Sequence, residues 1–130
     1  MKEFIINTNK KYECIDITDN VQNIVKEMKI KEGNVLVFAR HATAAIVINE
    51  NADPNICDDL LNALDKLIPE GRWKHDRIDN NAASHIKAAI LGCEKIIPVK
   101  DGKLMFGRWQ ALMLVELDGP RERKIIVSKS

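Results

Sequence analysis

The sequence of 130 residues lacks long apolar runs, clustered cysteines and an excess of charge of either sign. No apolar stretch approaches the roughly 20 residues that a helix needs to cross a bilayer. Residues 1–4 also lack the apolar core of a signal peptide. We therefore expect a cytoplasmic protein with no membrane partner.

The three cysteines, Cys14, Cys57 and Cys93, are widely spaced and contain no Cys-x-x-Cys pair. An odd number of separated cysteines favours reduced thiols in a cytoplasm over a disulfide framework or a zinc–thiolate site. We expect all three to be packing residues.

The charges are nearly balanced, with 20 basic and 19 acidic residues and a formal net charge of +1. This balance gives no bulk electrostatic reason to bind nucleic acid or an anionic membrane. Hydrophobic residues make up 45% of the chain and charged residues 30%, as in folded globular proteins. Because the length suits one domain with its own core, we predict a single domain over residues 1–130 that does not bind nucleic acid.

Three segments have the apolar spacing of helices. The first begins at Thr18 or Asp19, and we expect Gly33 to close it. The second begins at Asp53, a good N-cap residue before a proline, and the third ends at Gly92. The sequence therefore predicts about three helices.

The other regular segments have the composition and alternation of strands. They cover residues 4–6, 12–17, 35–39, 45–48, 95–99, 109–117 and 124–127. The almost wholly apolar run 35–39 should be a central strand covered on both faces. Asp101-Gly102 is a strong hairpin signal. Hairpins combined with about three helices predict an α+β fold, a single compact domain with a mainly antiparallel β-sheet.

The chain has no glycine-rich phosphate loop, no Gly-x-Ser-x-Gly and no His-Glu-x-x-His motif. Its candidate chemistry lies in three histidines, His41, His75 and His85, with several carboxylates nearby in sequence. Three neutral imidazoles can hold a zinc ion and leave a fourth position open. The same histidines, protonated or joined by Arg40, Arg72 and Arg121, could instead bind a phosphate. They could also be structural residues, and spacing alone leaves these alternatives open.

Several polar blocks follow one another along the chain. They are His41-Ala42-Thr43-Ala44-Ala45-Ile46, Ile48-Asn49-Glu50-Asn51-Ala52-Asp53-Pro54, His75, Asp79-Asn80-Asn81-Ala82-Ala83-Ser84-His85-Ile86-Lys87-Ala88, Gly102-Lys103-Leu104, Gly107-Arg108-Trp109-Gln110 and Glu116-Leu117-Asp118-Gly119-Pro120-Arg121. In this order they resemble the YjbQ-like family, long known as an uncharacterised protein family and linked to a secondary thiamine-phosphate synthase activity. Ala42 and Arg108 depart from the family pattern, which usually has threonine at both positions.

The resemblance implies a homotrimer with sites at or near the subunit boundaries. The implied reaction joins a pyrimidine methyl diphosphate to a thiazole phosphate and releases pyrophosphate, so the partner is a small phosphorylated metabolite. The implied catalytic residues are Asp79, His85, His75 and Gln110. The implied substrate- and phosphate-binding residues are Asn49, Glu50, Asp53, Asn81, Arg108 and Arg121. The implied ligands of a divalent metal, zinc or magnesium, are His41, His75 and His85.

Two alternatives to this enzyme remain at this point. One is a non-catalytic module that binds a metal or a phosphorylated metabolite. The other is a structural protein whose histidines only satisfy buried polar groups.

Overall fold

A computed structural model of the chain describes all residues, Met1–Ser130. It contains eight strands, three α-helices and one short 3₁₀ helix at Lys74–Arg77. In chain order the elements are β1 (Lys2–Asn7), β2 (Glu13–Asp16), α1 (Thr18–Glu27), β3 (Glu32–Ala39), β4 (Ala44–Asn49), α2 (Asn55–Leu67), α3 (Ala82–Leu91), β5 (Glu94–Lys100), β6 (Lys103–Leu104), β7 (Ala111–Glu116) and β8 (Glu122–Lys129). The predicted α+β fold with three helices is confirmed. None of the helices has the length and hydropathy of a membrane span.

The strands form two sheets, and every pairing is antiparallel. The larger sheet has the order β1-β8-β3-β5-β6, and the smaller has the order β2-β7-β4. The main core lies between the sheets and α1, where apolar side chains such as Val25, Val37 and Leu114 are fully buried. A second, smaller core on the other face of β7 includes Val115 and Ala88 of α3. Each residue of β7 is therefore buried, and this strand separates two cores.

The first helix ends earlier than predicted. α1 buries Val21, Ile24 and Val25 on one face, as its apolar spacing predicts. It ends at Glu27, and the chain turns through Lys29, whose φ of 56° is left-handed. Gly33 does not close the helix, because it already pairs with β5 as part of β3.

The second helix is attached to the rest of the molecule by few buried groups. The Asp53 side chain accepts the Asn55 backbone N–H at 2.9 Å, as predicted for a residue at the helix start. Within α2 only Leu64 is buried. The stability of this helix therefore depends on a small number of contacts.

One of these contacts corrects the prediction of three reduced cysteines. Cys14 of β2 and Cys57 in the first turn of α2 form a disulfide with their Cα atoms 6.2 Å apart, and only Cys93 is free. The two cysteines are 43 positions apart in sequence. They meet because α2 packs across β2, which the spacing of cysteines cannot reveal.

Helix α3 is fixed by polar groups on its buried side. Ser84 Oγ donates to the Leu117 carbonyl at 2.6 Å. Lys87 is only 1% exposed, and its ammonium lies 3.2 Å from Asp65 Oδ1 of α2 and 4.6 Å from the centroid of the Tyr12 ring. These contacts hold α3 between α2 and the small sheet.

A fully buried ion pair joins the two sheets. Arg123 of β8 donates through Nε to Glu116 of β7 at 2.9 Å and through Nη2 to the Thr43 carbonyl at 3.0 Å. Thr8 Oγ1 also donates to Glu116, at 2.7 Å. Burial disfavours the charge of Glu116, but the hydrogen bonds from Arg123 and Thr8 hold its pKa below the ordinary value. The pair thereby fixes the loop that follows His41.

Candidate functional site

A short turn stabilised by one carboxylate brings two of the histidines together. Asp76 accepts the Trp73 backbone N–H at 3.0 Å with one oxygen and the Ala82 N–H at 3.0 Å with the other. These hydrogen bonds, the one from Trp73 first, hold the pKa of Asp76 below its usual range. They join the 3₁₀ turn that carries His75 to the start of α3. As a result the rings of His75 and His85 lie 4.9 Å apart between centroids, nearly perpendicular to each other.

The two histidines face a cavity of about 630 Å³. It is lined by Arg72, Trp73, Lys74, His75, Ala82, His85 and Ile86. The volume suits a small metabolite, and the lining combines apolar surface with two permanent cations. Arg72 was a candidate phosphate ligand from sequence, whereas Trp73 and Lys74 were not predicted. Both residues directly precede His75 in sequence, but no spacing or motif marks them as cavity residues. We call this the cationic cavity.

Asp79 lies at the edge of this pair. Its Oδ2 is 3.9 Å from His75 Nε2, within ion-pair range but too long for a direct hydrogen bond. The Asp79 side chain is 61% exposed, so it is free to move toward the imidazole. Asp79 is therefore the carboxylate that lies beside His75 in the structure.

His41 does not join the other two histidines. Its Nε2 accepts the Lys124 backbone N–H at 2.7 Å, which places the proton of the neutral ring on Nδ1. Burial, followed by the positive charge of Arg123, holds the pKa of His41 below its ordinary value. His41 lines a different cavity, of about 530 Å³, whose wall also includes His85. His85 is thus the one imidazole that lines both cavities.

A metal site is not formed by the predicted ligands within one chain. No group of three or more His, Cys, Asp or Glu side chains in the structure could hold a metal ion. His41 Nε2 already accepts the Lys124 backbone N–H, and His41 and His75 line different cavities. The donor set of a single chain does not fit a three-histidine ion, and we derive no chemical step through one.

None of the six predicted substrate- and phosphate-binding residues lines either histidine cavity in one chain. Three of them, Asn49, Glu50 and Asp53, lie together where β4 connects to α2. The Asn49 side chain accepts the Glu50 backbone N–H at 2.8 Å, and Asp53 is occupied at the start of α2. None of the three lines the cavities that contain His85. In one chain these residues shape the β4–α2 connection.

Asn81 and Arg121 meet at the carboxylate of Asp118. Asn81 Nδ2 donates to Asp118 Oδ2 at 3.0 Å, and Arg121 Nη2 donates to the same oxygen at 2.9 Å. Asn81 immediately precedes α3, and its Oδ1 is buried without a hydrogen-bond partner. This cluster is joined through the chain to Ala82 of the cationic cavity.

Gln110 and Arg108 lie on the connection between β6 and β7. Gln110 Oε1 accepts the Gly107 backbone N–H at 2.8 Å. The Arg108 guanidinium lies 5.0 Å from the centroid of the Trp109 ring, and both side chains are exposed. Neither Gln110 nor Arg108 lines a cavity that contains His85 in the same chain.

Comparison with known proteins identifies one family over almost the whole chain. The family model described as UPF0047 protein YjbQ-like matches residues 2–130. The chain belongs to the YjbQ-like family. Among its YjbQ-like relatives, the UPF0047 protein of Archaeoglobus fulgidus is 44% identical over 126 residues, covering 96% of this chain and 97% of that one. UPF0047 protein YugU of Bacillus subtilis is 38% identical over 126 residues, covering 95% and 93%.

Solved YjbQ-like structures have the same fold. An uncharacterised conserved protein of the family from Clostridium acetobutylicum is 40% identical with a TM-score of 0.95, and the match covers 100% of both chains. A YbjQ-like protein from Sulfolobus solfataricus is 44% identical with a TM-score of 0.93, covering 97% of this chain and 92% of that one. The arrangement of the two sheets and three helices is therefore the family fold.

Proposed function

We propose that this YjbQ-like chain is a phosphate-handling transferase with secondary thiamine-phosphate-synthase-like activity. It would join a pyrimidine methyl diphosphate to a thiazole phosphate and release pyrophosphate. The observation that carries the proposal is the cationic cavity, where the His75–His85 pair shares one wall with Arg72 and Lys74. This cavity has the charge and the volume for a small phosphorylated metabolite.

The chemistry of the reaction matches these residue types. When the bond between the methyl carbon and the diphosphate oxygen breaks, negative charge develops on the leaving pyrophosphate. Arg72 and Lys74 stabilise that charge electrostatically, and a protonated histidine adds a hydrogen bond to it. The ring nitrogen of the thiazole phosphate supplies the electron pair for the new bond to the same carbon, and the electrons of the broken bond leave with pyrophosphate. Asp79, whose Oδ2 lies 3.9 Å from His75 Nε2, acts on His75 by orienting the ring.

A homotrimer is a separate part of this proposal. In one chain Gln110 and Arg108 lie outside the histidine cavities, so their proposed roles require a neighbouring copy that brings the β6–β7 connection to the site. Trp109 of this connection is 59% exposed and Ile96 of β5 is 58% exposed, and association would remove such side chains from water. The predicted phosphate-binding roles of Asn49, Glu50 and Asp53 rest on the same assumption.

The predicted metal and location remain predictions from the family resemblance and the sequence. A divalent ion, zinc or magnesium, would need ligands beyond the His75–His85 pair of one chain, and the proposed reaction does not depend on it. A cytoplasmic location is retained for a protein that acts on phosphorylated metabolites. It no longer has the support of reduced cysteines, since Cys14 and Cys57 are bonded to each other.

Single substitutions in the site test the proposed activity. We expect Asp79→Ala and His85→Ala each to lower the rate of thiamine-phosphate formation by about 100-fold or more, because each removes a group that acts on the transition state. The measurement is product formation from the two phosphorylated substrates, together with the midpoint of urea unfolding. Asp59→Ala, on the exposed face of α2, is the matched control and should keep full activity.

The outcome separates the enzyme from its alternative. Full product formation by both site variants would remove the proposed site. Stabilisation of the wild-type protein by pyrophosphate with no product under any condition would favour the non-catalytic module that binds a phosphorylated metabolite.

A further inference from the structure

We infer that the cavity between His41 and His85 is a second binding site, and that it takes a small flat molecule with an amino or amidinium group. The cationic cavity takes an anion, so the two sites would hold ligands of opposite charge on either side of His85. Binding of the cationic ligand does not depend on the proposed function, whose two substrates are both phosphorylated.

The shape of this second cavity follows from its small side chains. Its volume is about 530 Å³, and it lies where the start of β4, the second half of α3 and the start of β5 meet. Ala42, Ala44, Ala88 and Ala89 line it together with Gly92. These residues provide apolar surface without filling the space, which suits a flat ring.

The charge of the cavity comes from one carboxylate. Glu94 is its only lining residue with a permanent charge, and it makes no ion pair within 4 Å. Burial raises the pKa of the Cys93 thiol, and its hydrogen bond to Glu94 at 3.4 Å acts in the same direction, so the thiol stays neutral. His41 is neutral as the acceptor of the Lys124 N–H. The lining therefore favours a ligand that is positive or donates hydrogen bonds.

The cations nearest to this cavity are occupied by other groups. Arg40 pairs with Glu3 at 3.0 Å, and Arg123 pairs with Glu116 inside the protein. The Lys95 ammonium donates to three backbone carbonyls, including that of Ile46 at 2.8 Å. None of these cations makes an ion pair with Glu94 within 4 Å. The Lys95 ammonium and the Glu94 carboxylate both lie close to Gly92, but the ammonium is bound by the three carbonyls.

The cationic cavity on the other side of His85 has the opposite character. Arg72 and Lys74 line it, and no carboxylate does. Because His85 lines both cavities, two molecules bound at the same time would both lie beside its imidazole.

Binding measurements with simple probes test the inference. Benzamidine is a flat cation, benzamide is its neutral counterpart, and inorganic pyrophosphate serves as the anion. We expect saturable binding of benzamidine, weakened about tenfold by Glu94→Gln and abolished by Ala89→Leu, which fills the cavity. The matched control Glu32→Gln, on an exposed strand position, should bind like the wild type. Calorimetry gives the affinities, and nuclear magnetic resonance of labelled histidine follows His85.

Pyrophosphate provides the second half of the test. The affinity of the protein for pyrophosphate should be unchanged by Glu94→Gln and should fall with Lys74→Ala. Pyrophosphate and benzamidine should bind at the same time, and each of the two should perturb the His85 signals. Equal binding of benzamidine and benzamide, no effect of Glu94→Gln, or mutual exclusion of benzamidine and pyrophosphate would overturn the inference. Absence of pyrophosphate binding would instead contradict the proposed function and leave the benzamidine result standing.

Discussion

At the scale of single residues, Asp76 determines where His75 lies. Its two oxygens accept backbone N–H groups from Trp73 and from Ala82, six positions further along the chain. A carboxylate can accept at both oxygens at once, whereas an amide can accept at only one. The contact between His75 and His85 therefore depends on a group that does not itself line the cationic cavity.

Asp76→Asn tests this positioning role. The new amide N–H₂ would face a backbone N–H, so one of the two hydrogen bonds is lost and the turn loosens. We expect weaker binding of pyrophosphate and loss of the proton–proton contacts between the rings of His75 and His85, with little change in the urea midpoint. Asp59→Asn serves as the control for the loss of one exposed negative charge. Unchanged ring contacts in Asp76→Asn would contradict the role.

His41 should make stability depend on pH. Its folded pKa lies below the ordinary value of about 6.5, so the unfolded chain takes up a proton at higher pH than the folded chain. The contribution of His41 to stability is complete above about pH 6.5 and is lost as the pH falls through the folded pKa. We expect the urea midpoint to fall between pH 7 and pH 5 in the wild type and to fall less in His41→Gln. Equal slopes would contradict the prediction.

At the scale of elements, α2 depends on the Cys14–Cys57 disulfide. The helix fully buries only Leu64 within its length, and its other attachments are half-buried side chains such as Leu61, the disulfide, and the contact between Asp65 and Lys87. The bond also closes a loop of 43 positions, which restricts the unfolded chain.

Cys57→Ser should therefore lower the free energy of unfolding by about 2–4 kcal/mol. We also expect faster hydrogen exchange of the α2 amides, because this helix then opens more often on its own. The measurements are urea unfolding and amide exchange without reductant. Cys93→Ser is the matched control, since Cys93 is free. Equal stability of the two variants would show that the disulfide does not hold α2.

Local sequence patterns were sufficient to predict the helices and most strands. They did not predict which strand is covered on both faces or where each strand begins. The apolar stripe of α1 is visible in sequence because helical spacing is a property of the segment itself. The apolar run of β3 suggested a strand covered on both faces, yet Leu36 and Phe38 are half-exposed and β7 is the strand buried on both faces. Trp109 was expected in a strand that begins only at Ala111, because Gln110 closes a turn with the Gly107 carbonyl.

In the candidate site, the residues close together in sequence could be predicted as a group, whereas those from other segments could not. His75, Asp79 and His85 lie within eleven positions, so a turn before a helix was enough to bring them together. The position of His41 relative to His85 depends on how β4 packs against α3, which no local pattern encodes. Lys74 and Trp73 were missed because a lysine and a tryptophan before a turn have no distinctive spacing.

At the scale of the whole molecule, the proposed trimer can be tested directly. We expect sedimentation equilibrium to give a mass three times that of the single chain, because the proposed roles of Gln110 and Arg108 need a neighbouring copy. Trp109→Ala, which removes an exposed apolar side chain, should weaken the assembly. A monomer at micromolar concentration with full transferase activity would show that one chain is a complete enzyme.

The burial of β7 on both faces has a consequence for how the molecule comes apart. Leu112 and Leu114 pack into one core, and Met113 and Val115 pack into the other, so the same six-residue strand supports both. Losing this strand would disrupt both cores at once. Heat or denaturant should therefore melt the two sheets together in a single cooperative transition, and the cavities on either side of His85 persist for as long as the molecule is folded.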